Sequence, residues 1–212
     1  MDGTPLLLAA QDGKSAQSAK EGESESMITI VSGLPRSGTS LMMQMLDAGG
    51  VSILTDGERQ ADADNPGGYY EWERIKLLRQ EPSCIDEAEG KVVKVISQLL
   101  FALPGGREYK VIFMERPLAE VLASQAEMIR HRGSSGAELG QAALVTAFEA
   151  HLKQVHAWLR DKTNLSLCRL SYHQVISEPR HAAEAIQNFL ERALNVEAMA
   201  RQVDPGLYRQ RF

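Results

Sequence analysis

Residues Met27 to Leu46 read MITIVSGLPRSGTSLMMQML, and they constrain the chain more than any other segment. A short β-branched run, Ile28, Thr29, Ile30 and Val31, meets a turn holding Gly33 and Gly38. An apolar helical pattern of Leu41, Met42, Met45 and Leu46 follows. Strand, glycine turn and helix is the layout of an anion cradle. Glycines let backbone N–H groups converge, and the new helix adds its positive end.

The cradle departs from a nucleotide-hydrolysing loop. That loop reads G-x-x-x-x-G-K-[ST]. Gly33 and Gly38 keep the spacing and Ser40 fits the last position, but Thr39 stands where the lysine belongs. The cation here is Arg36, inside the turn. The run Pro35, Arg36, Ser37, Gly38, Thr39, Ser40 suits one phosphate group held by N–H groups, hydroxyls and a guanidinium. The alternative is an ordinary strand-to-helix turn capped by Ser and Thr.

The rest of the chain has the rhythm of an α/β fold. Strands are expected at Ile28–Ser32, Val92–Ile96, Lys110–Glu115 and Leu165–Leu170, with a short one at Val51–Leu54. All are apolar runs, as for strands covered on both faces. Helices are expected at Gly38–Leu46, Trp72–Arg79, Pro117–Arg130, Ala137–Leu159 and Pro179–Glu191. Alternating strands and helices imply a three-layer, mostly parallel sheet with helices on both faces, in one domain over 27–212. Residues 1–26 are polar and charged from Asp12 onward, and are expected to be a disordered leader. Thr55–Gly68 and Arg130–Gly136 read as flexible loops, and such loops at strand ends carry sites.

Charge and cysteine usage narrow the partners. A net charge of −5 argues against nucleic acid as a partner. The leading apolar run Leu6–Ala10 is too short for a membrane span and lacks a basic flank. Two cysteines, Cys84 and Cys168, form no disulfide framework, so a cytoplasmic compartment is the default expectation. No acidic cluster suited to a metal is apparent. Oligomeric state is not readable.

A second anion grip lies at Val111–Ala126, VIFMERPLAEVLASQA. A buried strand ends at Glu115 and Arg116, and Pro117 starts a helix. Arg116, Glu120 and Ser124 then recur every four residues, and share one helix face if the helix starts here. An arginine at a strand end beside a helix hydroxyl suits a phosphate.

Together, GLPRSGTS and ERPLAEVLASQ resemble the two phosphate-binding elements of the sulfotransferases that use 3′-phosphoadenosine-5′-phosphosulfate (PAPS). The resemblance runs from Met27 to the chain end. It is of the bacterial type, with loop motifs similar to the tyrosylprotein branch. It implies that Pro35 to Ser40 hold the 5′-phosphosulfate, and that Arg116 and Ser124 hold the 3′-phosphate. The segment LSYHQVISEPRHAAEAIQNFL at 170–190 is similar to the family's Y-x-x-L/V, proline and helix element. The tail at 203–211 resembles bacterial endings, with two arginines that the resemblance puts near the cofactor.

The resemblance also implies a chemistry. A sulfuryl group moves in line from PAPS to an acceptor hydroxyl or amine, leaving adenosine 3′,5′-bisphosphate. As in phosphoryl transfer, positioning and charge stabilisation carry most of the work. Many relatives use a histidine base between the two motifs, but His131, His151, His156, His173 and His181 all lie after the second strand-end arginine. A glutamate is the expected substitute: Glu58 first, at a place similar to the catalytic glutamate of the tyrosylprotein branch, and Glu71 second, in a G-Y-x-E segment similar to one in bacterial members. Lys94 resembles the lysine that neutralises the leaving oxygen, a role Arg36 shares. Arg59 is a further candidate for holding acceptor or sulfate. Tyr69, Tyr70 and Trp72 either line an acceptor pocket or anchor the following helix. The acceptor is unidentified. Two other readings stay open: a P-loop kinase or NTPase, and a non-catalytic nucleotide-binding protein of the same fold.

Overall fold

The computed structural model describes residues 27–62, 65–131 and 141–207. The leader, most of the Arg130–Gly136 connection and the tail arginines lie outside these residues.

Five strands form one parallel sheet: β1 (Ile28–Gly33), β2 (Ile53–Leu54), β3 (Val92–Lys94), β4 (Tyr109–Glu115) and β5 (Leu165–Ser171). Their spatial order is β2-β3-β1-β4-β5. β1 is central, pairing with β3 through Thr29 opposite Val92 and with β4 through Gly33 opposite Met114. Every residue of β1 is buried, because both faces of the sheet are covered.

Period-two alternation divides the core between the two faces. Val31, Ile112 and Met114 point to one side. There they pack against α1 (Thr39–Ala48), α4 (Tyr172–Ser177), α5 (Pro179–Leu190) and α6 (Val196–Ala200). Ile28, Ile30, Val111 and Phe113 point to the other, against Val155 and Leu159 of α3 (Gln141–Asp161). α2 (Leu118–His131) follows β4.

Two expectations are corrected. The segment Trp72–Arg79 is not an α-helix but a five-residue 3-10 turn, Glu73–Leu77. Further 3-10 segments, Pro82–Ala88 and Ser97–Ala102, were not foreseen. Their bonds run to the carbonyl three residues back, as from Ile75 N–H to Trp72 at 3.1 Å and from Leu99 N–H to Ile96 at 2.9 Å, and such tight turns do not extend far. Each pins a few apolar side chains, such as Ile75, Ile85 and Leu100, onto the sheet. The other correction concerns β5. Its residues are mostly half-buried rather than covered on both faces, because β5 is an edge strand.

The strand order reverses direction at β1. From β1 the chain passes to the edge strand β2 and returns inward to β3, then crosses β1 to β4 and β5, so the connections leaving the neighbours β1 and β4 run in opposite directions. Crevices at the carboxyl ends of strands beside such a switch are where α/β folds bind ligands.

Candidate active site

The turn between β1 and α1 is held in an unusual backbone path. Gly33, Arg36 and Gly38 have φ values of 155°, 70° and 100°. At Gly33 a Cβ would stand 2.6 Å from the Met114 carbonyl oxygen, so only glycine lets the turn lie against β4. A Cβ at Gly38 would strike the Tyr172 ring. The turn closes through the Ser37 N–H donating to the Leu34 carbonyl at 3.1 Å. No side-chain hydrogen bond caps α1. The first N–H groups of a helix have no partner within it, and Thr39 and Ser40 of this first turn line a cavity of about 460 Å³.

Arg116 and Ser124 enter the same cavity from β4 and α2. Arg116 Nε donates to Glu120 Oε2 at 2.9 Å, and its NH1 donates to the Arg36 carbonyl at 3.1 Å. The guanidinium stacks 4.6 Å above the centre of the Tyr172 ring. Arg36 Nε donates to Ser124 Oγ at 2.9 Å. The two anion motifs, separated in sequence by three strands' worth of chain, therefore touch through both side chain and backbone.

Lys94, at the end of β3, reaches in from the opposite wall. Its Nζ donates to Ser40 Oγ at 3.0 Å and to the Tyr69 carbonyl at 2.8 Å. Burial, with only 10% of the side chain exposed, pulls its pKa down from 10.5 to about 8. The Glu71 carboxylate 3.7 Å away acts in the opposite direction. Glu71 also accepts from Arg59 NH1 at 2.8 Å. Arg59 in turn lies 3.3 Å over the Tyr69 ring, whose hydroxyl donates to Asp62.

The cavity thus gathers Pro35, Arg36, Gly38, Thr39, Ser40, Glu71, Lys94, Arg116 and Ser124 from the sequence-derived set. Two members stand apart. Ser37 borders a separate cleft of about 360 Å³ beside His156 and Arg169, and its buried hydroxyl has no hydrogen-bond partner among the described residues. Glu58 is exposed, outside the cavity lining, and its N–H donates to Asp56 Oδ1 at 3.1 Å. Tyr69 and Trp72 are buried and line the cavity, whereas Tyr70 is half-buried outside the lining and its hydroxyl donates to Asp47 Oδ2 at 3.1 Å.

Sequence reading did not single out Tyr172 as a wall of the cavity, although it lies in the quoted Y-x-x-V element. Nor did it find Asn65 or Leu99, which bear no local signal of a site. Among the described residues no group of His, Cys, Asp and Glu is placed to hold a metal ion. Nor is any helix there long and apolar enough to cross a membrane.

A comparison with curated proteins finds no match. A family model described as "Sulfotransferase domain" matches residues 28–205. That span takes in all five strands, the glycine turn and the cavity-lining Arg36, Arg59 and Arg116. The chain belongs to the sulfotransferase domain family.

Proposed function

We propose that the protein transfers a sulfuryl group from PAPS to an acceptor hydroxyl or amine by in-line displacement. One observation carries this reading: two anion-binding motifs, built around Arg36 and Arg116, line a single cavity that also holds a buried lysine. A donor with phosphate groups at both ends of a ribose needs two grips and a space between them. The residues fit it. The glycine turn has no room for a Cβ at either glycine, and the cavity is large enough for a nucleotide. Pro35, Arg36 and Gly38 to Ser40 would hold the 5′ side, and Arg116 with Ser124 the 3′-phosphate, while Ser37 closes the turn from behind. Tyr172 and Leu41 supply apolar wall between them.

When bound, PAPS supplies an activated sulfuryl group and a phosphate leaving group. This chain's own contribution is charge and orientation. Lys94 Nζ and the Arg36 guanidinium set positive charge where the leaving oxygen gains negative charge. The Glu71 carboxylate accepts the acceptor's proton. Glu71 takes precedence over Glu58 because it lines the cavity 3.7 Å from Lys94. Arg59 and Tyr69 hold Glu71 and the wall beside it.

Calorimetric titration with adenosine 3′,5′-bisphosphate in EDTA, beside ATP with Mg²⁺, tests the donor. Metal-independent binding of the bisphosphate, tighter than that of ATP, is expected. The reverse preference would restore the kinase reading. The base is tested by rates in two variants with bisphosphate affinity monitored. Glu71→Gln is expected to slow turnover about 10²–10⁴-fold, while Glu58→Gln stays near the parent. Equal, small effects in both would remove glutamate from the mechanism.

A further inference from the structure

Arg116 does more than face the cavity. Its guanidinium has three fixed neighbours: Glu120 Oε2 at Nε, the Arg36 carbonyl at NH1, and the Tyr172 ring beneath its plane. The Arg116 and Glu120 side chains are 7% and 5% exposed, so neither is a solvated surface charge. Arg36, whose carbonyl takes the NH1 bond, has φ 70°, a left-handed conformation unusual for a residue with a side chain. Such backbone persists only where the surroundings over-determine it. A guanidinium is a planar, rigid fork. Once Nε is fixed on Glu120, one turn along α2, the direction of NH1 is fixed as well.

We propose that Glu120 is a positioning residue. It locks the Arg116 fork so that NH1 holds the left-handed Arg36 turn, and so shapes the 5′-side loop from the 3′ side of the cavity. This rests on the donor reading above and deepens it. The two grips are then not independent. Damage at Glu120 lowers affinity even for a ligand that carries nothing at its 3′ position.

The test uses two probes on the purified full chain. Adenosine 5′-phosphosulfate lacks the 3′-phosphate and reads the glycine loop alone. Adenosine 3′,5′-bisphosphate reads both grips. In Glu120→Ala the affinity for adenosine 5′-phosphosulfate falls about tenfold, equivalent to about 1.4 kcal/mol. Glu120→Gln keeps an oxygen acceptor for Nε and stays within about threefold of the parent. Both variants remove the counter-charge of a buried guanidinium, so both lower the unfolding midpoint. Affinity is rescued by the conservative change while stability is not, and a merely structural role has no such split. Arg116→Lys, which lacks the fork, reproduces the loss should Glu120→Ala fail to fold.

Unchanged adenosine 5′-phosphosulfate affinity in Glu120→Ala and Arg116→Lys, with bisphosphate affinity reduced, overturns the relay and leaves the donor reading standing. A parent protein that binds neither probe overturns the donor reading first, and the relay with it.

Discussion

Replacing Lys94 with methionine is expected to lower turnover about 10²–10³-fold, the usual loss when one preorganised charge at a developing anion is removed. The affinity for adenosine 3′,5′-bisphosphate should change far less, since the proposed grips on its phosphates are Arg36, the turn and Arg116. The expectation follows from where Lys94 sits. It is nearly buried, it bonds Ser40 of the turn, and it faces Glu71 across 3.7 Å. A buried ammonium is costly unless its charge is used.

The pH dependence has a definite direction. Only the protonated lysine can neutralise a leaving oxygen, and burial brings its pKa down to about 8. kcat/KM should therefore fall as pH rises through about 8, since that parameter reports the free enzyme. Arginine does not titrate in this range, so Lys94→Arg should lose the alkaline limb even where its rate is low. Stability runs the other way. Between about 8 and 10.5 the unfolded chain keeps a proton that the folded chain has lost, so the lysine's contribution to stability rises with pH there. An alkaline limb that survives unchanged in Lys94→Arg would remove Lys94 from the titration.

Arg116→Ala is expected to fail twice, in stability and in binding. The substitution leaves the Glu120 carboxylate buried without its cation, which costs about 3–5 kcal/mol in denaturant unfolding. It also deletes the proposed 3′-phosphate grip, weakening bisphosphate binding about 100-fold. The two losses can be separated. Arg116→Met combined with Glu120→Leu removes both charges and replaces them with apolar volume, and such exchanges are often close to neutral. The double variant should regain most of the stability and none of the binding. Bisphosphate affinity that returns with stability would show that Arg116 supports the fold without touching the ligand.

How far the chain could be read in advance depended on whether a feature is local. The glycine turn was legible because its backbone demand is written in consecutive residues. Gly33 and Gly38 stand where a Cβ would meet β4 and Tyr172. β1 and β4 were legible because a strand covered on both faces must be apolar throughout. β5 carries Ser166 and Arg169 within its apolar run, but its place at the sheet edge is a matter of topology, and no strand records its own neighbours. The 3-10 segments were missed because they have too few residues for a periodic signal.

The candidate site divides in the same way. Arg116 and Ser124 could be paired from sequence because their spacing of eight suits one helix face, although α2 begins only at Leu118, two residues after Arg116. The sequence put Glu58 ahead of Glu71 on its place in the chain alone, yet both belong to one irregular stretch between β2 and β3 that no local signal shapes. The fold of that stretch is set by long-range bonds, from the Lys94 ammonium to the Tyr69 carbonyl and from Arg59 to Glu71. Glu58 is left exposed and Glu71 lines the cavity.

By itself, then, the sequence determined the strand-turn-helix cradle, the parallel α/β class and the two anion motifs. Each depends on spacing within one element or on the burial of one strand. Only the tertiary structure decided that Arg116 grips the Arg36 carbonyl, that Arg36 meets Ser124, and that Lys94 stands against Glu71. Those contacts join residues far apart in the chain. Their geometry comes from the order in which strands are laid into the sheet, and that order is settled by packing both faces at once.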